Sequence, residues 1–265
     1  MRRIEADRGP RIIPGLYAVP LRPILNISCY LFVSLTDTAA LRERLHARAE
    51  ALGLKGTVLI AEEGINLFLA GAAEGVRTWV AELRADPRFA ELTPKESWSG
   101  TQPFQRLKVK VKPEIIRMNQ PTVRPDQAPR APALAPATLA RWLDQGHDDD
   151  GREVVMLDTR NGFEVDHGAF DGAVDWRLHK FSDFPAALAA HKGELAGKTV
   201  VSYCTGGIRC EKAAMVLAEQ GLRAWQLDGG ILKYFEDTGG AHYHGSCFVF
   251  DEREALAPDL SPAAT

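Results

Sequence analysis

The 265-residue chain reads as an α/β protein in two units. The apolar segments of the first half run in the order β-α-β-β-α-β, which predicts a ferredoxin-like α+β sandwich. The second half alternates short apolar strands with helices, the pattern of a parallel sheet. Between them Pro113, Pro121, Pro125, Pro129, Pro132 and Pro136 stand among few large apolar residues, a composition that builds no core and favours an extended linker.

In the first half, Cys29 to Leu35 predicts a strand and Thr38 to Leu52 a helix. Gly56 to Ala61 and Ile65 to Ala70 are strands joined at Glu62-Glu63-Gly64, Ala73 to Arg84 is a helix, and Arg106 to Val111 closes the unit as a strand. That last segment alternates, with Arg106, Lys108, Lys110 and Lys112 on one face and Leu107, Val109 and Val111 on the other. A row of cations at this spacing suits a polyanion such as RNA. It equally suits an edge strand protected by lysines from pairing with another chain.

In the second half, Thr138 to Asp144 predicts a short helix, Val154 to Leu157 and Ala173 to Trp176 strands, and Pro185 to His191 a helix. Thr199 to Tyr203 is β-branched and aromatic enough for a buried strand, and Cys210 to Gln220 has helical spacing. Ala224 to Leu227 and Ile231 to Phe235 supply a last strand and helix.

The Thr199 to Gln220 segment therefore puts Cys204 on a strand-loop-helix hinge, followed by Thr205, Gly206, Gly207, Ile208 and Arg209. Backbone amides and a helix N-terminus favour a thiolate in such a hinge, the glycines let the chain curl tightly, and Arg209 adds a permanent charge. Four residues separate Cys204 from Arg209, whereas phosphate-binding cysteine loops are one residue longer, which argues against phosphoryl transfer. Asp158 and Arg160 also follow a strand and open onto the same rim. Asp158 is placed either to bond the loop amides or Arg209, or to cap the following helix. Cys210, a supporting residue beside the loop, reads as packing rather than as a resolving thiol, and Cys247 suits either role.

Composition bounds the rest. The chain is 45% hydrophobic and 25% charged, ordinary values for a globular protein. No apolar run approaches the roughly 20 residues of a membrane span, and the N-terminus is charged, so a cytoplasmic protein without membrane association is expected. Cys29, Cys204, Cys210 and Cys247 form no disulfide framework and are expected reduced. Residues 1–120 carry a net charge of +5 and the remainder −8, so only the first half is built to meet a polyanion. It has no aromatic RNA-binding signature on a strand, so base stacking is not indicated. His242, His244 and Cys247 are too irregularly spaced to predict a metal site.

Several strings together resemble the rhodanese-domain tRNA uridine(34) hydroxylase family: Cys204-Thr-Gly-Gly-Ile-Arg-Cys-Glu-Lys-Ala, Leu157-Asp-Thr-Arg, Gln226-Leu-Asp-Gly-Gly-Ile-Leu-Lys-Tyr, Cys247-Phe-Val-Phe-Asp-Glu-Arg and Gly56-Thr-Val-Leu-Ile-Ala-Glu-Glu-Gly-Ile-Asn. The resemblance covers roughly residues 25 to 255. It implies an acylphosphatase-like variant of the ferredoxin fold over 25–118, with tRNA binding, and a rhodanese-like catalytic domain over 137–240. Residues 1–24 are then an N-terminal extension, 119–136 the linker and 241–265 a tail, which lacks the further cysteines of many relatives.

The resemblance also implies oxygen-dependent conversion of the wobble uridine of tRNA to 5-hydroxyuridine, an oxidoreductase reaction at the anticodon with the Cys204 position essential. No cofactor motif is evident; molecular oxygen is the implied co-substrate and the electron donor is unidentified. On chemical grounds a Cys204 thiolate adding at uracil C6 makes C5 nucleophilic, with loop amides or Arg209 stabilising the enolate. The rival reading is a sulfurtransferase carrying a persulfide on Cys204.

Overall fold

The structure is a computed structural model that describes residues 23–263. The extension expected over 1–24 therefore lies, up to residue 22, outside the described residues, as do the last two residues of the tail.

The first unit comprises β1 (Ile24–Phe32), α1 (Thr38–Ala51), β2 (Lys55–Ala61), β3 (Gly64–Gly71), α2 (Ala73–Arg84), β4 (Lys95–Ser99) and β5 (Leu107–Val111). Its sheet runs β4-β1-β3-β2-β5, with β5 parallel to β2 and the other pairs antiparallel. Leu41, Leu45 and Ala49 of α1 and Val76, Trp79 and Leu83 of α2 pack on one face of it against Ile27, Cys29, Val58, Leu67 and Val109. Strand alternation then sends Ser28, Tyr30, Asn66, Phe68, Lys108 and Lys110 to the opposite, helix-free face.

Strand β4 is absent from the sequence expectation. Lys-Glu-Ser-Trp-Ser is a polar edge strand whose side chains are mostly half-exposed or exposed, so neither apolar alternation nor a buried run marks it.

The second unit comprises β6 (Ala133–Leu134), α3 (Pro136–Gln145), β7 (Val154–Asp158), α4 (Gly162–Val165), β8 (Gly168–Phe170), β9 (Val174–Asp175), α5 (Phe184–His191), β10 (Thr199–Tyr203), α6 (Ile208–Glu219), β11 (Arg223–Leu227) and α7 (Gly230–Thr238). Three short strands follow, β12 (Tyr243–Gly245), β13 (Cys247–Phe248) and β14 (Ala255–Leu256). The main sheet, β6-β11-β10-β7-β9, is parallel throughout. Apolar clusters cover both its faces, one around Phe184, Leu188, Val200 and Leu217, the other around Trp142, Val201, Leu227 and Tyr234.

The proline-rich stretch is not a solvated spacer. Met118 and Val123 are buried in the core of the second unit, and Ile115 packs with Ala61 and Ile208 in a small core shared by both units. Apolar residues this widely spaced show no period, so the composition concealed their burial. Lys212 of α6 bolts the same junction. Its ammonium is buried and donates to Glu63 at the β2-β3 turn (3.0 Å), to Glu114 (2.7 Å) and to the Ile116 carbonyl (3.0 Å). An ammonium so far from water is tolerable because all its donors are engaged.

Candidate active site

Strand β10 lies at the centre of the parallel sheet, so the chain leaving it at Cys204 emerges at the carboxyl-end rim where such sheets hold ligands. The loop that follows is turned inside out by its carbonyls. Cys204 O accepts from Ile231 N (2.9 Å) and Thr205 O from Leu232 N (3.1 Å), both at the start of α7, while Gly206 O accepts from Lys95 Nζ (3.0 Å). In a planar trans peptide the N–H points opposite the C=O, and the described residues contain no cis bond. Tying three carbonyls outward therefore aims the amides of Thr205, Gly206 and Gly207 inward. The Gly207 amide donates to Cys204 Sγ at 3.1 Å.

Two glycines are needed for this shape. Gly207 has φ +102°, and a Cβ there would sit 3.1 Å from the Tyr30 hydroxyl; at Gly230, φ +66°, a Cβ would come within 2.4 Å of Cys204 O. Gly206 is different: a Cβ would meet nothing within 4 Å, so it leaves open space at the cavity wall.

Burial by itself pushes the Cys204 thiol up, but the Cys210 thiol, the Arg209 charge and the Arg209 and Gly207 amides bring it down to about 5. The other cysteines lack this surround. Burial pushes Cys29 and Cys247 up to about 12, and burial and the neighbouring Cys204 push Cys210 well up. Cys204 is thus the one cysteine of the four whose surroundings favour the thiolate.

Arg209 is not a free cation over the loop. Its guanidinium is held by both oxygens of Glu164 on α4, at 2.6 and 2.7 Å, in a buried pair whose charge still lies near the sulfur. Neither expected role of Asp158 holds: its side-chain hydrogen bonds go to Arg160 and not to the loop amides or Arg209, and the N-cap of α4 is Asn161. Asp158 instead accepts from the backbone N–H and the guanidinium of Arg160, which also donates to Gly168 O, closing a buried ion pair behind the loop. Arg160 is satisfied there and does not reach the cavity.

Cys204 opens into a cavity of about 480 Å³ between the units, with walls from β1, β3 and β4, the Cys204 loop and residues 249–251 after β13. The cationic strand joins the same surface by register. Lys108 pairs with Thr57, Thr57 with Phe68, Phe68 with Ser28 and Ser28 with Lys95, a straight row across all five strands on one face. Phe68, Ser28 and Lys95 line the cavity, while Arg106, Lys108, Lys110 and Lys112 stand at the far edge. β5 is an edge strand, so its lysines also meet the protective role.

Sequence reasoning missed Lys95, Glu164 and the chain after Cys247 as parts of the site. Glu164 carried a readable signal, the Asn-x-x-Glu spacing at Asn161, whose N–H donates to Glu164 Oε2 at 2.9 Å. Lys95 carried none. His242 and His244 pair with different aspartates, Asp144 and Asp171.

The parallel sheet and the anion-binding cysteine loop define a rhodanese-domain protein, fused here to a second unit that walls its cavity. Residues 136–237 match the rhodanese-like domain, and residues 24–115 match the UPF0176 acylphosphatase like domain. The chain belongs to the tRNA uridine(34) hydroxylase family. It is 66% identical over 239 residues to the tRNA uridine(34) hydroxylase of Delftia acidovorans, covering 90% of each chain. It is 64% identical over 245 residues to that of Variovorax paradoxus (92% of this chain, 93% of the relative) and 61% over 240 residues to that of Bordetella avium (90% and 99%). No helix among the described residues is long and apolar enough to cross a membrane.

Proposed function

We propose that this chain hydroxylates C5 of the wobble uridine in the anticodon of tRNA, as an oxidoreductase with molecular oxygen as co-substrate and Cys204 as the nucleophile. The observation that carries the reading is the Cys204 thiol, brought down to about 5 and facing a cavity of about 480 Å³ that accommodates one nucleotide. The target base must therefore leave its stack to enter, which is least costly in a single-stranded loop.

The thiolate adds to uracil C6, and the electron pair moves to C5 and O4 as an enolate. Loop amides facing the cavity, with the Lys95 ammonium behind Gly206, stabilise that anion. Carbon C5 then takes up one oxygen atom. With molecular oxygen as co-substrate the second atom leaves as water, consuming two electrons and two protons from a reduced donor. Loss of the C5 proton expels the Cys204 thiolate and restores the ring double bond as 5-hydroxyuridine.

The test is mass analysis of tRNA nucleosides from a deletion strain complemented with the wild-type or Cys204→Ser chain. Loss of 5-hydroxyuridine in the deletion and serine strains is expected. Loss of a thiolated nucleoside instead would make the protein a sulfurtransferase.

A further inference from the structure

Among the described residues, Phe163 and Phe250 are two of the few large apolar side chains left in solvent, 49% and 51% exposed. They come from places far apart in sequence, the short helix α4 and the strand-exit segment after β13. Their rings nevertheless meet edge to face at 6.5 Å, and both pack on Phe248, at 5.3 and 5.1 Å. Phe248 is anchored to the catalytic loop, since its carbonyl accepts from Thr205 Oγ1 at 3.3 Å. Phe250 itself lines the Cys204 cavity, so the aromatic trio stands at the cavity mouth.

Two adjacent phenylalanines left half-exposed, their rings in contact, form a contiguous apolar patch, the kind of surface that meets a partner. The charge around the mouth names the partner. With Arg209 neutralised by Glu164 and Arg253 by Asp251, Lys95, Arg117 and Lys180 line the cavity against Glu96 and Glu236, a small excess of cations suited to a phosphate backbone. Each edge-to-face contact covers only one face of one ring, so three such contacts leave at least three of the six ring faces of the trio uncovered by one another, and a ring face is what an unstacked base seeks.

Resting on the reading of tRNA as substrate, we propose that Phe250, supported by Phe163 and Phe248, is a stacking platform for a base adjacent to the target uridine in the anticodon loop. The cavity takes one nucleotide, so the neighbouring bases lose a stacking partner when the uridine leaves; the platform replaces it at the mouth. This role absorbs the Phe-Val-Phe string after Cys247, which the chemistry at Cys204 does not use. The sequence hides it because no strand carries the aromatics as a set.

The experiment uses the full chain and an anticodon stem-loop RNA with 2-aminopurine beside the target uridine, whose fluorescence is quenched by stacking. Wild type is expected to quench it. Phe250→Ala should weaken binding about tenfold and abolish the quench, with the slope of log affinity against log salt unchanged, because no phosphate contact is lost. Phe250→Leu, which keeps apolar bulk without a ring face, should behave like the alanine variant, whereas Phe250→Trp should bind at least as well as wild type. Wild-type affinity and full quenching in both Phe250→Ala and Phe163→Ala would overturn the platform. Normal 5-hydroxyuridine formation by those same variants would then leave the hydroxylase reading standing. Quenching by a wild-type protein that forms no 5-hydroxyuridine would instead uphold the platform and sink the hydroxylase reading.

Discussion

Lys95 and Gly206 lie 111 residues apart, in different units, and are joined by a 3.0 Å hydrogen bond from the ammonium to the carbonyl. The amide on the other side of that peptide is the one that donates to Cys204 Sγ. The first unit thus reaches into the Cys204 loop of the second and fixes the direction of a hydrogen bond to its sulfur. Its ammonium, half-buried in doing so, is held below the usual lysine range by desolvation, partly offset by the charge of Cys204.

Replacing that contact should be visible at the sulfur. Lys95→Met is expected to raise the Cys204 pKa by about one unit, since both a nearby charge and the constraint on the Gly207 amide disappear. The pH profile of alkylation by iodoacetamide measures it, and Lys95→Arg should restore part of the shift. A purely structural lysine would lower the melting temperature and leave the profile in place.

Alkylation should also single out Cys204. With its pKa near 5 it is expected to react at a nearly constant rate across pH 6 to 8, while Cys29, Cys210 and Cys247, all pushed up by burial, stay unmodified in the folded protein. Peptide mass mapping after a brief exposure reads this directly.

The same shift has a consequence for stability. The folded thiol binds its proton less tightly than the unfolded one, so the thiolate contribution is fully present above 9.0, the unperturbed value, and is lost as pH falls to about 5. Cys204→Ser removes the titrating group. The stability of wild type relative to Cys204→Ser, from urea denaturation, should rise with pH across that window; a pH-independent difference would mean the thiol is not depressed.

Arg209→Ala should do more than weaken catalysis, because it strands Glu164 in the interior without its bidentate partner. Loss of one member of a buried pair costs about 3–5 kcal/mol. The double variant Arg209→Met with Glu164→Gln should recover most of that loss in urea denaturation while the Cys204 alkylation profile stays shifted upward.

The cations of β5 make the remaining prediction. If they touch phosphate, changing Lys108, Lys110 and Lys112 to Gln should weaken binding to every tRNA by a similar factor and flatten the salt dependence, with little change in thermal stability. Intact binding and slope, accompanied by aggregation, would assign these lysines to edge protection alone.

The part of the site that could be read from the chain is the part made by consecutive residues. The strand to Tyr203, the turn at Gly206-Gly207 and the helix from Ile208 are local, and they place Cys204 above a helix N-terminus whatever else the protein does. The alternation along β5 was readable for the same reason, since a pleated strand assigns faces by parity.

What joins distant segments was not readable. Lys95 sits on a polar edge strand with no apolar pattern to announce it, and Arg209 was a partner on offer to Asp158 until packing brought it Glu164, 45 residues away, leaving Asp158 to its neighbour Arg160. The proline-rich stretch revealed its buried Met118 and Val123 only once there was a core to receive them. The sequence by itself determined the class of fold, the strand-loop-helix placement of Cys204 and the cationic face, because these follow from local periodicity and residue chemistry. Tertiary structure alone decided which charges are paired, which amides face the sulfur and which aromatics guard the cavity, because a buried charge or a tied carbonyl takes whichever partner chain packing brings within about 3 Å.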